Sequence, residues 1–210
     1  MRIGLWQGIA EKGPLVTVQP CGSLLSLFVW IQNGPTVALA FGMCVGSLTI
    51  IEEAYVGALA VVVAIRLAIL LPQFPGRSLL TLTAASLPET NIKERVLALA
   101  ALAPDTPIAE VAQRFGASGY VVESVPLALY AAQQTKQQGF VVVLEQLIAA
   151  GGDTDTNAAI AGQIAGAWLG LDAIPQTLIQ QLPDREAILA TSRAFADWVT
   201  RKGAPASACT

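Results

Sequence analysis

Asp153 and Asp155 stand two positions apart in the string GGDTDTN at 151–157, with Thr154 between them, Thr156 after them and a glycine pair ahead. Two carboxylates and a hydroxyl in one turn are the oxygen donors that hard divalent cations take. Glycine lets the backbone come close without a Cβ. The string also reads as a helix boundary. Gly151 and Gly152 suit the left-handed position that ends one helix, and one of Asp153, Thr154, Asp155 or Thr156 caps the next, where an acid complements the helix dipole. One residue is enough for a cap, so the second aspartate is surplus to it; on local chemistry both readings stand. An EF-hand is excluded, because Ala158 occupies the place of that loop's glycine and Ile164 the place of its bidentate glutamate.

The rest of the chain narrows the chemistry. Of its 210 residues 54% are hydrophobic and 13% charged, ample material for a packed core and far from a disordered composition. It contains no histidine, which removes every His-based triad, zinc site and general base and leaves acid–base work to Asp and Glu. The net charge is −3 and no Lys/Arg stripe forms, so no nucleic-acid partner is expected. An anionic ligand would have to be held by helix ends or by a bound cation. Cys21, Cys44 and Cys209 are odd in number and lack metal spacing, which points to reduced thiols and a cytoplasmic location. The start MRIGLWQGIAEKG carries no signal-peptide pattern. AYVGALAVVVAIRLAILLP at 54–72 is the strongest candidate for a membrane span. Arg66 interrupts it, at a cost of about 2.5 kcal/mol or more at the bilayer centre, and Glu52 and Glu53 precede it, so a buried helix is the expectation.

These residues need helices to position them. Residues 1–35 are broken by Gly13-Pro14, Gly22 and Gly34-Pro35 and read as irregular. Residues 36–71 read as helical with a break near 46–53, ended by Pro72, Pro75 and Gly76. ETNIKERVLALAALA at 89–103 is an amphipathic helix capped by Thr90 or Asn91. In PDTPIAEVAQRFG, Asp105 or Thr106 can cap, Pro107 takes a first helical position and Gly116 stops the helix. The valines of GYVVESVPLALYAAQQT at 119–135 suggest strand, whereas Pro126 and the Ala/Leu run favour helix. GFVVVLEQLIAA leads as a helix into Gly151. In the helix after the acidic turn, Gly162, Gly166 and Gly170 fall every four residues, a face on which another helix can come close. A last helix spans about 184–199. No internal repeat is evident, and the class is all-α. The expected layout is an irregular segment at 1–35, one all-α domain at 36–200 and a flexible tail at 201–210.

The longer string GGDTDTNAAIAGQIAGAWLGLDAIP at 151–175 resembles the C-terminal metal-binding signature of the ADP-ribosylglycohydrolase family, including its dinitrogenase-reductase-activating type. SGYVVESVPLALYAA at 118–132 is similar to that family's preceding segment, and the resemblance runs from about 105 to 185. It implies a compact orthogonal helical bundle, a cleft holding two Mg²⁺ or Mn²⁺ ions, and hydrolysis of the glycosidic bond between ADP-ribose and a modified side chain. By position it makes Asp153, Asp155 and Thr156 metal ligands. Gly151, Gly152, Tyr120 and Asn157 become candidates for substrate contact, with an ADP-ribosylated protein or ADP-ribose derivative as partner. The sequence departs from the family in one respect. The acidic Thr-Asp-Asp-Thr string that completes the family's metal site nearer the N-terminus does not occur here, where the only acids before residue 89 are Glu11, Glu52 and Glu53. The family's middle segment is matched loosely by QPCGSLLSLFVW at 19–30. In the next helix Thr49 matches and Ile50 replaces a usual His. The expectation is therefore an N-terminally incomplete version of the fold, holding one metal or none, with weak or no activity as a lone chain or with a second polypeptide supplying the missing half-site.

Other residues have a plain reading beside the functional one. Glu123 is an acid–base candidate or a solvated helix position. Tyr120 stacks on a ligand ring or is half-buried with its hydroxyl satisfied. Glu52 and Glu53 replace lost ligands or sit in a charged loop. Asn157 caps the helix or touches the metal's water shell, and Trp168 is expected in the core. The competing functions are a glycohydrolase, a non-catalytic protein whose aspartates only cap a helix, and a small membrane protein; carboxylates at a helix start weigh against the last.

Overall fold

The computed structural model describes residues 52–70 and 76–203. The expectations for residues 1–35, for the helical pattern of 36–51 and for the tail from 204 onward lie outside the described residues. The described part is all-α, with no strand among the described residues. The described residues fall into two compact units, one up to Ile174 and one from Pro175 onward, and each is described by itself.

In the first unit, α1 (Glu52–Leu70) is the apolar stretch with Arg66 in it. Among the described residues it is the one helix long and apolar enough to cross a membrane. Its buried side is Val56, Leu59, Ala60, Ala64, Ile65 and Ala68, a helical spacing rich in small side chains. Burial holds the Arg66 guanidinium below its ordinary pKa. α2 (Leu79–Ala85) is capped by Ser78, whose hydroxyl accepts from the Thr81 N–H.

α3 (Asn91–Ala100) is capped by Thr90, as expected, through an acceptor contact with the Lys93 N–H at 3.4 Å. Its start has a second partner: the Glu53 carboxylate of α1 accepts from the Asn91 N–H (3.0 Å), the Asn91 side-chain amide (2.7 Å) and the Ile92 N–H (3.4 Å). Glu53 is thus a helical residue satisfying another helix's free donors, not part of a charged loop.

α4 (Ile108–Phe115) starts one residue later than the sequence suggests. Pro107 is the cap residue, and no side chain caps it. Thr106 is spent in its own turn, where its hydroxyl donates to the Ala103 carbonyl (2.9 Å). Gly116 ends the helix at φ +91°, as expected.

α5 (Val121–Gln138) packs against each of the other described α-helices of this unit, α1 to α4, α6 (Phe140–Ala149) and α7 (Thr154–Leu169). Every residue from Ser124 to Ala132 is buried. The valines ahead of Pro126 are helical: with neighbours on all sides, tertiary packing overrides their β-propensity. Gly57 of α1 abuts the start of α5, where a Cβ would lie 2.3 Å from a Val121 methyl.

In α7 the buried residues are Asn157, Ala161, Ile164 and Ala165. No described residue lies within 4 Å of where a Cβ at Gly162 or Gly170 would be, and the nearest to Gly166 is the tip of Ile174 at 4.0 Å. Among the described residues the close-packed face of α7 is the alanine side. Trp168 is half-buried, with the Lys136 ammonium 5.2 Å from its ring centre.

In the second unit, α8 (Gln176–Gln181) and α9 (Arg185–Gly203) pack together, and Phe195 stacks on Trp198 at 6.2 Å. α9 runs on to Gly203, past the helix end expected near 199.

Candidate functional site

Two short connections meet at the N-terminal ends of α5 and α7. One is residues 116–120, between α4 and α5; the other is residues 150–153, between α6 and α7. They are fastened through one atom, the Ala117 carbonyl oxygen. It accepts from the Asp153 N–H at 2.9 Å and from the Asn157 side-chain amide at 2.8 Å.

The glycines make this approach possible. Gly151 and Gly152 lie at φ +80° and +79°, the left-handed region that L side chains rarely adopt. At Gly152 a Cβ would also stand 2.2 Å from the Ala117 oxygen. Gly119 is open for a different reason: a Cβ there would lie 2.5 Å from Oδ2 of Asp153. The missing side chain leaves room for a carboxylate.

The first connection is tied down from its own helix. Glu123 accepts from the Ser118 N–H (3.1 Å) and the Ser118 hydroxyl (2.6 Å), and the same hydroxyl accepts from the Tyr120 N–H (3.2 Å). These bonds, the hydroxyl's first and then the backbone's, hold the Glu123 carboxyl below its ordinary pKa. Glu123 is therefore neither simply solvated nor a free acid; it reaches back from the first turn of α5 as a capping-box glutamate does. Arg95 secures the other end, donating to the Phe115 carbonyl at 2.9 Å with its guanidinium 5.5 Å from the Phe115 ring centre.

Asp153 occupies the N-cap position of α7, yet its side chain makes no capping hydrogen bond. Asp155 is exposed in the first turn, and its carboxyl is held below the ordinary range. The largest cause is a side-chain hydrogen bond with Asp153, followed by hydrogen bonds from the backbone N–H groups of Thr156 and of Asp155 itself. Two adjacent carboxylates repel one another when both are charged, and a cation between them would offset that repulsion. The donor set is all hard oxygen, from Asp153, Asp155 and the half-buried Thr156 next to them. The residues present thus fit a divalent cation, on the chemistry of the donors and the space opened at Gly119. Among the described residues no group of three or more His, Cys, Asp or Glu gathers, so no further described carboxylate joins the pair.

The other candidates divide. Tyr120 stands at the N-cap of α5, 54% exposed, with its ring on the surface beside the turn. Asn157 is 1% exposed, with its amide committed to Ala117 and its Oδ1 without a partner among the described residues. Gly151 and Gly152 shape the turn. Ala117, Ser118 and Gly119 escaped the sequence reading. Ser118 had a signal, a hydroxyl shortly ahead of a helix whose third residue is Glu, whereas nothing local marks Ala117, which acts through its backbone.

An all-α bundle that brings a glycine-shaped acidic turn to the start of one helix, against the start of another, is one class of protein. The chain belongs to the ADP-ribosylglycohydrolase family: the model of that family matches residues 4–207. The match reaches well beyond the 105–185 stretch in which the resemblance is plain to the eye, and it carries with it a function of the glycohydrolase type. A search of curated proteins gives no match.

Proposed function

We propose that this chain is a hydrolase that cleaves the glycosidic bond between ADP-ribose and a modified protein side chain. Asp153, Asp155 and Thr156 hold a divalent cation, Mg²⁺ or Mn²⁺, in the cytoplasm. The observation that carries the reading is the Asp153 carboxylate, which stands at a helix cap without capping, beside a second carboxylate. A residue needed only as a cap would spend its oxygen on the first-turn N–H groups.

When bound, the cation supplies orientation of the ribose hydroxyls and an activated water for a transition state of oxocarbenium character. The chain's own residues prepare its seat. Gly151 and Gly152 bring the turn against residue 117, Gly119 leaves room for Oδ2 of Asp153, and Tyr120 offers an exposed ring for a ligand base. Two ions of this kind want roughly six oxygen ligands each, more than one turn can give. The lone chain therefore turns over weakly or not at all, and a second polypeptide supplies the missing half-site.

The test is calorimetric titration of Mn²⁺ into the purified protein beside an Asp153→Ala/Asp155→Ala variant, followed by assay of free ADP-ribose from ADP-ribosylated protein. Binding that the variant loses supports the reading. A folded wild type that binds no Mn²⁺ returns the aspartates to the role of helix-start residues. Strong release of ADP-ribose by the chain alone overturns the need for a partner.

A further inference from the structure

We propose that Asn157 is a positioning residue for the acidic turn, acting through the Ala117 carbonyl rather than on a ligand directly. The inference rests on the metal reading above.

Asn157 lies one helical turn after Asp153, and its N–H donates to the Asp153 carbonyl at 3.0 Å. Its side-chain amide donates to Ala117, 40 residues earlier in the chain, at 2.8 Å. The Asp153 N–H donates to the same Ala117 oxygen at 2.9 Å. Asp153 is thus anchored on both sides of its peptide unit, and both anchors return to Asn157 or to the carbonyl that Asn157 holds. The Asp153 side chain makes no capping bond; it lies beside Asp155, with Oδ2 against the gap at Gly119.

Packing alone does not call for an amide here. The other buried residues of α7 are Ala161, Ile164 and Ala165. An apolar side chain at 157 would fill the same interior without desolvating a polar group. The amide is also only half used, since its Oδ1 finds no donor among the described residues, a costly state for a buried acceptor. A side chain kept at that cost, whose one bond fixes the carbonyl beneath a carboxylate pair, is placed for the turn and not for the core.

The same bundle contains a matched control. Gln134 of α5 is 2% exposed and donates its amide to the Pro104 carbonyl at 2.7 Å, in a connection that does not include the acidic turn. The experiment titrates Mn²⁺ into wild type, Asn157→Ala and Gln134→Ala, with the melting temperature of each recorded without metal. Amide hydrogen exchange of residues 151–157 is followed in the metal-free proteins. Both substitutions are expected to lower the melting temperature. Asn157→Ala alone should weaken Mn²⁺ binding, by about tenfold or more, as loss of a residue that orients a ligand does. It alone should also speed exchange at the Asp153 N–H. Unchanged Mn²⁺ affinity in Asn157→Ala beside a binding wild type overturns the inference and leaves the metal reading standing. Equal weakening by Gln134→Ala shows a general loss of stability and overturns it too. Absence of binding by wild type removes the metal reading and this inference with it. If Asn157→Ala does not fold, Asn157→Leu, which keeps the volume, makes the same comparison.

Discussion

Two loops in the same bundle are held by buried polar side chains, and they are held differently. At residues 103–107 the Tyr130 hydroxyl donates to the Thr106 carbonyl and the Gln134 amide to the Pro104 carbonyl, each at 2.7 Å. Neither Tyr130 nor Gln134 is among the described residues with a buried polar atom left unpaired. At residues 116–120 Asn157 does the equivalent work on Ala117, yet polar capacity remains: Oδ1 of Asn157 has no described donor, and the Asp153 carboxylate makes no capping bond. The first loop is a closed account of hydrogen bonds. The second leaves acceptors without a donor from the fold, which is what the proposed cation would use. On that proposal the contrast separates a polar group that stabilises a fold from one that equips it.

The largest effect should come from removing those acceptors. Asp153→Ala/Asp155→Ala is expected to abolish measurable Mn²⁺ binding, a loss of about a hundredfold or more, while the melting temperature moves little. A double variant that still binds would break the comparison at its centre. Next is Gly152→Ala, which forces an L side chain into a left-handed backbone and against the Ala117 oxygen. It should cost about 3 kcal/mol in chemical denaturation and weaken Mn²⁺ binding as the two loops part. Tyr130→Phe sharpens the contrast from the other side. Losing one buried hydrogen bond at 103–107 should cost about 1 kcal/mol in the same measurement and leave Mn²⁺ affinity unchanged.

The smallest effect is a dependence on pH. The Ser118 bonds lower the pKa of Glu123 in the folded protein below its ordinary 4.5, so the folded state resists taking up that proton. The stabilisation is fully present above 4.5 and is lost as pH falls through the folded value. The melting temperature of wild type should therefore exceed that of Glu123→Gln at neutral pH, and the gap should close in acid. A gap that stays constant down to pH about 3 would show that Ser118 does not bind the charged form of Glu123.

Much of this was legible in the sequence, for identifiable reasons. The helix starts at Thr90 and the stops at Gly116 and Gly151 follow from short-range rules of capping and backbone sign, and the acidic turn announces itself by composition. What was not legible depends on residues far apart in the chain. Glu53 reads as a loop charge until α1 brings it to the Asn91 N–H, and Asn157 reads as a cap or a ligand contact until Ala117 arrives from 40 residues away. The glycine spacing of α7 shows which residues share a side, and among the described residues the neighbours lie on the alanine side instead. Thr106 is not the cap because the helix begins one residue later, with Pro107 at the cap position, while its hydroxyl turns back to donate to Ala103.

The contact between Glu53 and the start of α3 bears on the order in which the molecule assembles. The Asn91 and Ile92 N–H groups that open that helix are answered by a carboxylate 38 and 39 residues earlier. The first turn of α3 is therefore complete only after the intervening chain has closed, so the entropy of that closure is charged to a helix whose own sequence is short-range and well patterned. Before the closure Thr90 is the one local cap that start has. Afterwards the start of α3 is tied to α1, and opening it there breaks the bonds to Glu53 as well.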